Sequence, residues 1–362
     1  MDRLPDPIVE LITTYNELNN SVVDVLQEEP SPLEFMRYVA QNTPFVVRSG
    51  AAGWRASKIW SAAYLRDFLK NETVNVAVTP KGNADSPLRL EDGSLVFVKP
   101  WEEDQPFPEF LDHIIEQEKT SPSQASEVRY AQTQDDNLRH EYASLFSHVQ
   151  RDIPWARIAL QKEPDAINLW VGNSRSVTAL HKDNYENVYV QILGRKHFVL
   201  LPPLCQPCVN EQALRPASYV RGGGDGAENL DLSFEDGDDV PFATWDPDNP
   251  ETATTRYSHL ASPLRITLEP GDMLYLPAMW YHKVSQSISD EGICVAVNYW
   301  YDMEFSGPLY PLCSFVRSTN QYVSEAEEGM GMSKAVLKLQ EMSYTVFKVQ
   351  SSPKSTPRDV GV

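Results

Sequence analysis

Positive charge is scarce in this 362-residue chain: 31 Lys and Arg face 51 Asp and Glu, a formal net charge of −20. Nucleic acid and anionic membranes both select a dominant positive field, which argues against a direct nucleic-acid or membrane partner. Cysteine is sparse too. Cys205, Cys208, Cys294 and Cys313 cannot form a disulfide framework in a chain this long. No stretch approaches the ~18 apolar residues that would span a bilayer. The opening MDRLPDPIVELITTYNELNN has early acids and no uninterrupted apolar run, so no signal peptide is expected. The expectation is a cytoplasmic protein, with the nucleus left open. Apolar material is ample: 41% hydrophobic and 10% aromatic residues suffice for a buried core.

The first third alternates helical and extended signals. Ile8 to Leu26 follow near-helical spacing, and a second helix is expected from Ser31, with Pro32 in its first turn and Leu33, Phe35, Met36 and Val39 on its apolar side. Residues 44–50 read as a buried strand, and 72–80 as a strand whose hairpin partner is 94–100. Residues 106–118 and 137–150 look helical, with a strand at 128–134 between them. From 166 the pattern changes to closely spaced strands: AINLWVGN, ENVYVQIL, KHFVLLPP, LRITLEPGD, MLYLP and CVAVNYWYD. Such a series implies a barrel or sandwich core. Residues 222–255 hold ten acids and no Lys or Arg, and read as a solvated loop. Helices are expected at 307–323 and 333–349, then a disordered tail.

His181 and Asp183 form an HxD triplet. On a strand, positions i and i+2 point the same way, so an imidazole and a carboxylate meet at one point. His282 is the candidate third ligand. Two His and one carboxylate on one face of a metal leave three positions open, which suits non-haem Fe(II), whereas a structural zinc site would be closed by four ligands. HxD alone arises often by chance, and a lone His is more often hydrogen-bonded than metal-bound. What points to a metal is the joint context. Lys196, in the turn Gly194-Arg195-Lys196, reads as a surface residue when taken by itself, and Tyr130 as core. Cys205-x-x-Cys208 has no second half and reads as incidental. Arg195, His197 and the histidines at 113, 140, 148 and 259 are assigned surface or structural roles. No nucleophile–base arrangement is legible.

Pro270-Gly271, then Pro277, then His282 resembles the second signature of the cupin barrels, with His181 and Asp183 in the first. LHKDNYEN, GRKHF, YLPAMWYH and VAVNYWYDME, within 166–203 and 264–304, resemble the jumonji-C family. More narrowly, they are similar to its small single-domain lysyl hydroxylases of developmentally regulated GTP-binding proteins. The resemblance covers roughly 5–320, apart from the acidic insertion. It implies a mainly β fold with flanking helices, a double-stranded β-helix of cupin or jelly-roll type. The implied boundaries are an N-terminal extension at 1–125, the barrel at 126–304 with an insertion at 205–256, C-terminal helices at 305–350 and a tail at 351–362.

The resemblance also implies Fe(II), 2-oxoglutarate and O2 as cofactors. His181, Asp183 and His282 match the iron ligands, and Lys196 matches the lysine that pairs with the distal carboxylate of 2-oxoglutarate. Tyr130 and Thr178 match hydroxyl donors; Asn187, Tyr189 and Asn298 match polar positions beside the cofactor. Strand parity favours Asn187 and Tyr189, while Thr178 requires a bend before His181. The implied activity is C-3 hydroxylation of a lysine in a GTP-binding protein partner, yielding succinate and CO2. N-methyl-lysine demethylation and a catalytically silent cupin scaffold are the alternatives. The acidic bias fits a lysine-containing basic segment as substrate. The C-terminal helices could cap the barrel or form a homodimer seam.

Overall fold

Largely apolar runs such as Cys294–Tyr301, broken only by Asn298, need cover on both faces, which places them in the middle of a layered sheet. The structure, a computed structural model, describes residues 6–120, 127–222 and 230–327. Its N-terminal part runs α1 (Pro7–Leu18), β1 (Asp24–Leu26), α2 (Pro32–Gln41), β2 (Phe45–Val47), α3 (Arg55–Ile59) and α4 (Ala62–Phe68). Next come β3 (Thr73–Thr79), β4 (Ser86–Arg89), β5 (Leu95–Lys99), β6 (Trp101–Pro106), α5 (Phe107–Lys119), β7 (Val128–Tyr130) and α6 (Pro154–Leu160). The barrel strands begin with β8 (Ala166–Gly172), β9 (Thr178–His181), β10 (Tyr185–Leu193) and β11 (Arg195–Leu201), and β12 (Glu211–Arg221) then leaves the barrel for a separate sheet. After these follow β13 (Leu230–Phe234), β14 (Val240–Ala243), β15 (Leu264–Leu268), β16 (Met273–Leu276), β17 (Tyr281–Ser287) and β18 (Cys294–Asp302). The chain divides into two units after Glu304, and the helix described in the second is α7 (Leu309–Glu327).

Six strands in the order β1-β2-β16-β10-β18-β8 share a core with four in the order β15-β11-β17-β9. Tyr189, Leu274, Leu276 and Ala296 of the first sheet pack with Phe198, Leu200, Leu264 and Val284 of the second. This is the double-stranded β-helix. The opposite face of the larger sheet, with Val188, Val190, Val295, Val297 and Tyr299, packs with Phe35 of α2, Phe110 of α5 and Trp155 of α6. On the smaller sheet, Leu180, Leu201 and Tyr281 face Ile8 and Ile12 of α1. Both covering helices α1 and α2 start on side-chain caps. Asp6 accepts from Ile8 N at 2.9 Å and Ser31 from Glu34 N at 3.2 Å, each with a proline at the first helical position.

Several expectations change. The helix from Ile8 ends at Leu18, because Asn19-Asn20-Ser21 is turn sequence; residues 24–26 instead pair with β2 as a parallel strand. On α2, Phe35 is buried, but Leu33 is 78% exposed. Pro100 divides 94–106 into two strands, so β3 pairs with β6 and β7, while β5 joins β4 and β12. Residues 137–150 hold a 3₁₀ turn at Ala143–His148, not an α-helix. Asn137 is pinned to β8 through both its amide atoms, to Leu169 O at 3.0 Å and Leu169 N at 2.7 Å, so its chain cannot enter a regular helix. The acidic segment is not merely a loop: Leu230, Leu232 and Phe234 alternate with polar residues, and β13 and β14 both pair with β12. The helix expected at 333–349 lies outside the described residues.

One half-buried acid gives this fold a pH signature. Glu141 accepts the backbone N–H of Asn75 on β3, and burial pushes its pKa up to about 7. A carboxyl whose folded pKa exceeds its unfolded value contributes stability below the unfolded value, and loses it as pH rises through the folded one. Glu141→Gln, a neutral mimic, is therefore expected to raise Tm at pH 8, with the gain gone by about pH 4, below the ordinary carboxyl value. Thermal unfolding at the two pH values checks this, and an equal Tm difference at both would refute it.

Candidate metal centre

His181 closes β9 and His282 is the second residue of β17, where the two are register partners. Asp183 lies past the end of β9, in the connection to β10, so the HxD pair is not carried by one continuous strand. A backbone bond replaces the strand. Met279 N donates to Asp183 O at 2.7 Å, tying that connection to the turn before His282. The turn is itself anchored, since Trp280 Nε1 donates to both oxygens of Asn42 at 2.8 Å. Asp183 Oδ2 consequently stands 3.7 Å from His181 Nε2 and 3.6 Å from His282 Nε2. The three ligand atoms lie within 4.8 Å of one another.

Hydrogen bonds also set the tautomers. His181 Nδ1 is 2.8 Å from Ala179 O and His282 Nδ1 is 3.0 Å from Trp280 O. A carbonyl can only accept, so each Nδ1 carries the hydrogen and each Nε2 keeps its lone pair on the Asp183 side. Burial, helped by the neighbouring His181, pushes the His282 pKa down to about 4. It is neutral at pH 7, as a metal ligand must be. Two neutral imidazoles and one carboxylate on one side of a point fit iron(II) with open positions.

Thr178, Asn187, Tyr189 and Asn298 all line the cavity around the triad. Thr178 gets there through the bend its parity required: four residues of β9, from Thr178 to His181, oppose three of β17, from His282 to Val284. In the β10–β18 register Tyr189 faces Asn298 and Asn187 faces Trp300. Sequence reasoning missed Gln134, Trp170 and Val284 as cavity residues. Val284 could have been found by its two-residue spacing from His282.

Lys196 overturns the surface reading of its turn: it is 2% exposed. Its Nζ donates to Tyr130 Oη at 2.9 Å and Gln286 Oε1 at 3.0 Å, and it faces the rings of Tyr130, Trp170 and Tyr189 at 5.5, 5.8 and 5.7 Å. No described carboxylate forms an ion pair with it. Trp170 and Tyr189 also line the metal cavity, so a buried, uncompensated cation sits behind the triad. Burial pushes the Tyr130 phenol pKa up, which keeps a hydrogen available for donation. Gln286 was missed, though it shares the face of His282 and Val284.

Gly172 sets the fit of this pocket. A Cβ there would lie 2.6 Å from Tyr130 Cδ2 and 2.8 Å from Gln286 Nε2. Gly172→Ala must displace one of the two partners of Lys196 at a cost of about 1–3 kcal/mol. If Lys196 holds 2-oxoglutarate as the sequence resemblance implies, the expected outcome is a roughly tenfold weaker 2-oxoglutarate affinity with Lys196 itself unaltered. Calorimetric titration tests it, and an unchanged Kd would count against the pocket's role.

Cys205 and Cys208 are buried free thiols in a 3₁₀ turn, and their mutual hydrogen bond and burial hold the Cys205 pKa up. His148 accepts from Trp60 Nε1 at 3.0 Å inside the core, and His197 lies between Thr267 and Ser287. Three acids of the 222–255 segment are already engaged, Glu235 by Lys99 at 2.7 Å and two others nearer the barrel. Asp246 and Asp248 pair with Lys283, and Asp248 also with Arg265.

A family profile described as a cupin-like domain matches residues 30–307. The bifunctional peptidase and (3S)-lysyl hydroxylase JMJD7 of Homo sapiens is 38% identical over 284 residues, covering 78% of this chain and 85% of that protein. The lysine-specific demethylase JMJ32 of Arabidopsis thaliana is 37% identical over 292 residues, 78% of this chain and 82% of that protein. The JmjC domain-containing protein E of Dictyostelium discoideum is 34% identical over 313 residues, with 82% and 88% covered.

Proposed function

The chain belongs to the cupin-like jumonji-C family of 2-oxoglutarate oxygenases, and from that membership we propose that it hydroxylates a lysine side chain of a partner protein at C-3. The carrying observation is the convergence of His181, Asp183 and His282 with both Nε2 lone pairs turned to the carboxylate. These three residues would hold iron(II). When bound, iron(II) would couple the reduction of O2 by 2-oxoglutarate to oxidation of an unactivated C–H, one oxygen atom going to succinate as CO2 is released and the other converting C–H to C–OH.

The chain's own residues position and shield. Lys196 would take the distal carboxylate of 2-oxoglutarate, and the Tyr130 and Thr178 hydroxyls would donate to it, because a buried dicarboxylate needs a cation and donors to offset lost hydration. Asn298 is oriented by Trp170 Nε1 at 2.8 Å and donates to Asn187 Oδ1 at 3.2 Å, which fixes the polar edge of the cavity. Trp170, Tyr189 and Val284 supply apolar walls that limit water around the reacting carbon.

The (3S)-lysyl hydroxylase among the relatives supports a lysine target. The partner would present that lysine in a basic segment, and a developmentally regulated GTP-binding protein is the one the sequence resemblance names. A second reading, N-methyl-lysine demethylation, has its own support in the relative named as a demethylase. One experiment separates them. The chain is supplied with Fe(II), 2-oxoglutarate and lysine peptides, both unmodified and methylated, and products are read by mass. A +16 Da product on unmodified lysine supports hydroxylation; formaldehyde from methylated peptides without that product reverses the assignment.

A further inference from the structure

A second cavity, of about 290 Å³, adjoins the metal cavity across a single strand. Ala179 and Leu180 of β9 line the second cavity, while Thr178 and His181 of the same strand line the first. Asn83 and Ser86 form part of its rim, and Asp85 lies between them in the chain.

The turn bearing Asp85 is fastened to the approach to β9. Gly82 O accepts from Val177 N at 2.8 Å, and Gly82 N donates to Thr79 Oγ1 at 2.8 Å. Gly82 has φ +80, and a Cβ there would fall 2.0 Å from Arg175 O, so no other residue permits this approach. Asp85 itself is held at φ +49, a left-handed conformation that Asp and Asn tolerate better than most residues. Gln132 Nε2 donates to its Oδ2 at 3.2 Å, two residues before the cavity-lining Gln134. Among the described residues no Lys or Arg forms an ion pair with it. The Lys283 ammonium on the cavity wall is already neutralised by Asp246 and Asp248.

We infer that Asp85 receives the ammonium of the target lysine, and that the adjoining cavity seats residues flanking that lysine. This rests on the lysine reading above and adds the residue that selects for it. Hydroxylation at C-3 leaves three methylene groups between the reacting carbon and the nitrogen. The anchoring carboxylate must then lie beside the metal cavity, not within it. Asp85 meets that condition by its attachments: Gln132, bonded to its carboxylate, precedes the cavity-lining Gln134 by two residues, and Gly82 is tied to Val177, next to the cavity-lining Thr178. Burial and the charge of Glu102 both raise its pKa, so a bound ammonium relieves an existing cost.

The test uses the full chain with Mn(II) and 2-oxoglutarate. The probes are N-acetyl-lysine methylamide and its norleucine isostere, with binding followed by paramagnetic line broadening. Wild type should bind the lysine probe at least about tenfold more tightly, as a charge-assisted hydrogen bond implies. Asp85→Asn should lose that preference while its Kd for 2-oxoglutarate stays within about twofold. Asp85→Gly, which also accepts positive φ, guards against a folding defect in the first variant. A wild type without the preference, or variants that keep it, would overturn the inference. Turnover is scored separately by the +16 Da product: lysine preference without that product would sink the hydroxylase reading and leave Asp85 as an ammonium site.

Discussion

Asp183→Ala is expected to weaken iron(II) binding by about a hundredfold or more and to abolish turnover. Even changes to groups that only orient a ligand cost about 10–100-fold in metal affinity, so loss of a ligand should exceed the upper end of that range. It also removes the single negative charge of the donor set, leaving two neutral imidazoles that bind a hard divalent ion poorly. Asp183 is a cleaner probe than His282. Its side chain is 24% exposed in a connecting segment, and the bond that ties that segment to Met279 uses the backbone carbonyl, which alanine retains. His282 is 4% exposed, so its truncation would open a cavity as well as delete a ligand. Anaerobic Fe(II) titration by calorimetry, with the visible band that follows 2-oxoglutarate addition, provides the measurement. Wild-type affinity in Asp183→Ala would mean that the metal sits elsewhere, and the oxygenase assignment would lose its footing.

Strands with a clear period were legible in the sequence, and so was what they carry. β8, β10, β11, β15, β16 and β18 all lie in the apolar runs that marked them. The inward position of Asn187 and Tyr189 follows from two-residue alternation along β10 even though β9 and β10 are separate strands. Thr178 shows how a local rule breaks informatively: its wrong parity demanded a bend, and a β-bulge supplies one. β12 was missed because Pro216 sits in its interior, where proline ordinarily argues against a strand. Its neighbours β13 and β14 were hidden by a charge count that masked the Leu230, Leu232, Phe234 alternation. Lys196 is the deepest case. Nothing local distinguishes a buried lysine after a glycine turn from a surface one. Burial here is imposed by Tyr130, Trp170, Tyr189 and Gln286, which come from four other strands, so only resemblance could flag it beforehand.

Lys196→Met should therefore separate function from stability. An ammonium buried without a carboxylate pays a desolvation penalty of several kcal/mol. Two hydrogen bonds and three aromatic faces, the latter worth about 0.5–2 kcal/mol each when desolvated, offset only part of it. Methionine fills similar volume and contacts the same rings favourably through its sulfur. The change leaves Gln286 Oε1 without its donor, at about 1–3 kcal/mol, but Gln286 Nε2 keeps its bond to Asn173 O at 2.7 Å. The ligand-free variant is expected to match or exceed the wild-type Tm. Affinity moves the other way, because truncating one partner of a buried charge pair costs about 2–5 kcal/mol, so Kd for 2-oxoglutarate should rise about a hundredfold or more. Saturating ligand stabilises whichever form binds it, by about 2.7 kcal/mol at a hundred times Kd. With Mn(II) and such a concentration of 2-oxoglutarate, wild type should gain that increment and Lys196→Met almost none, reversing the order of the two Tm values. An equal 2-oxoglutarate-dependent Tm shift in both proteins would show that this lysine does not hold the co-substrate, and would leave its burial without a functional reason.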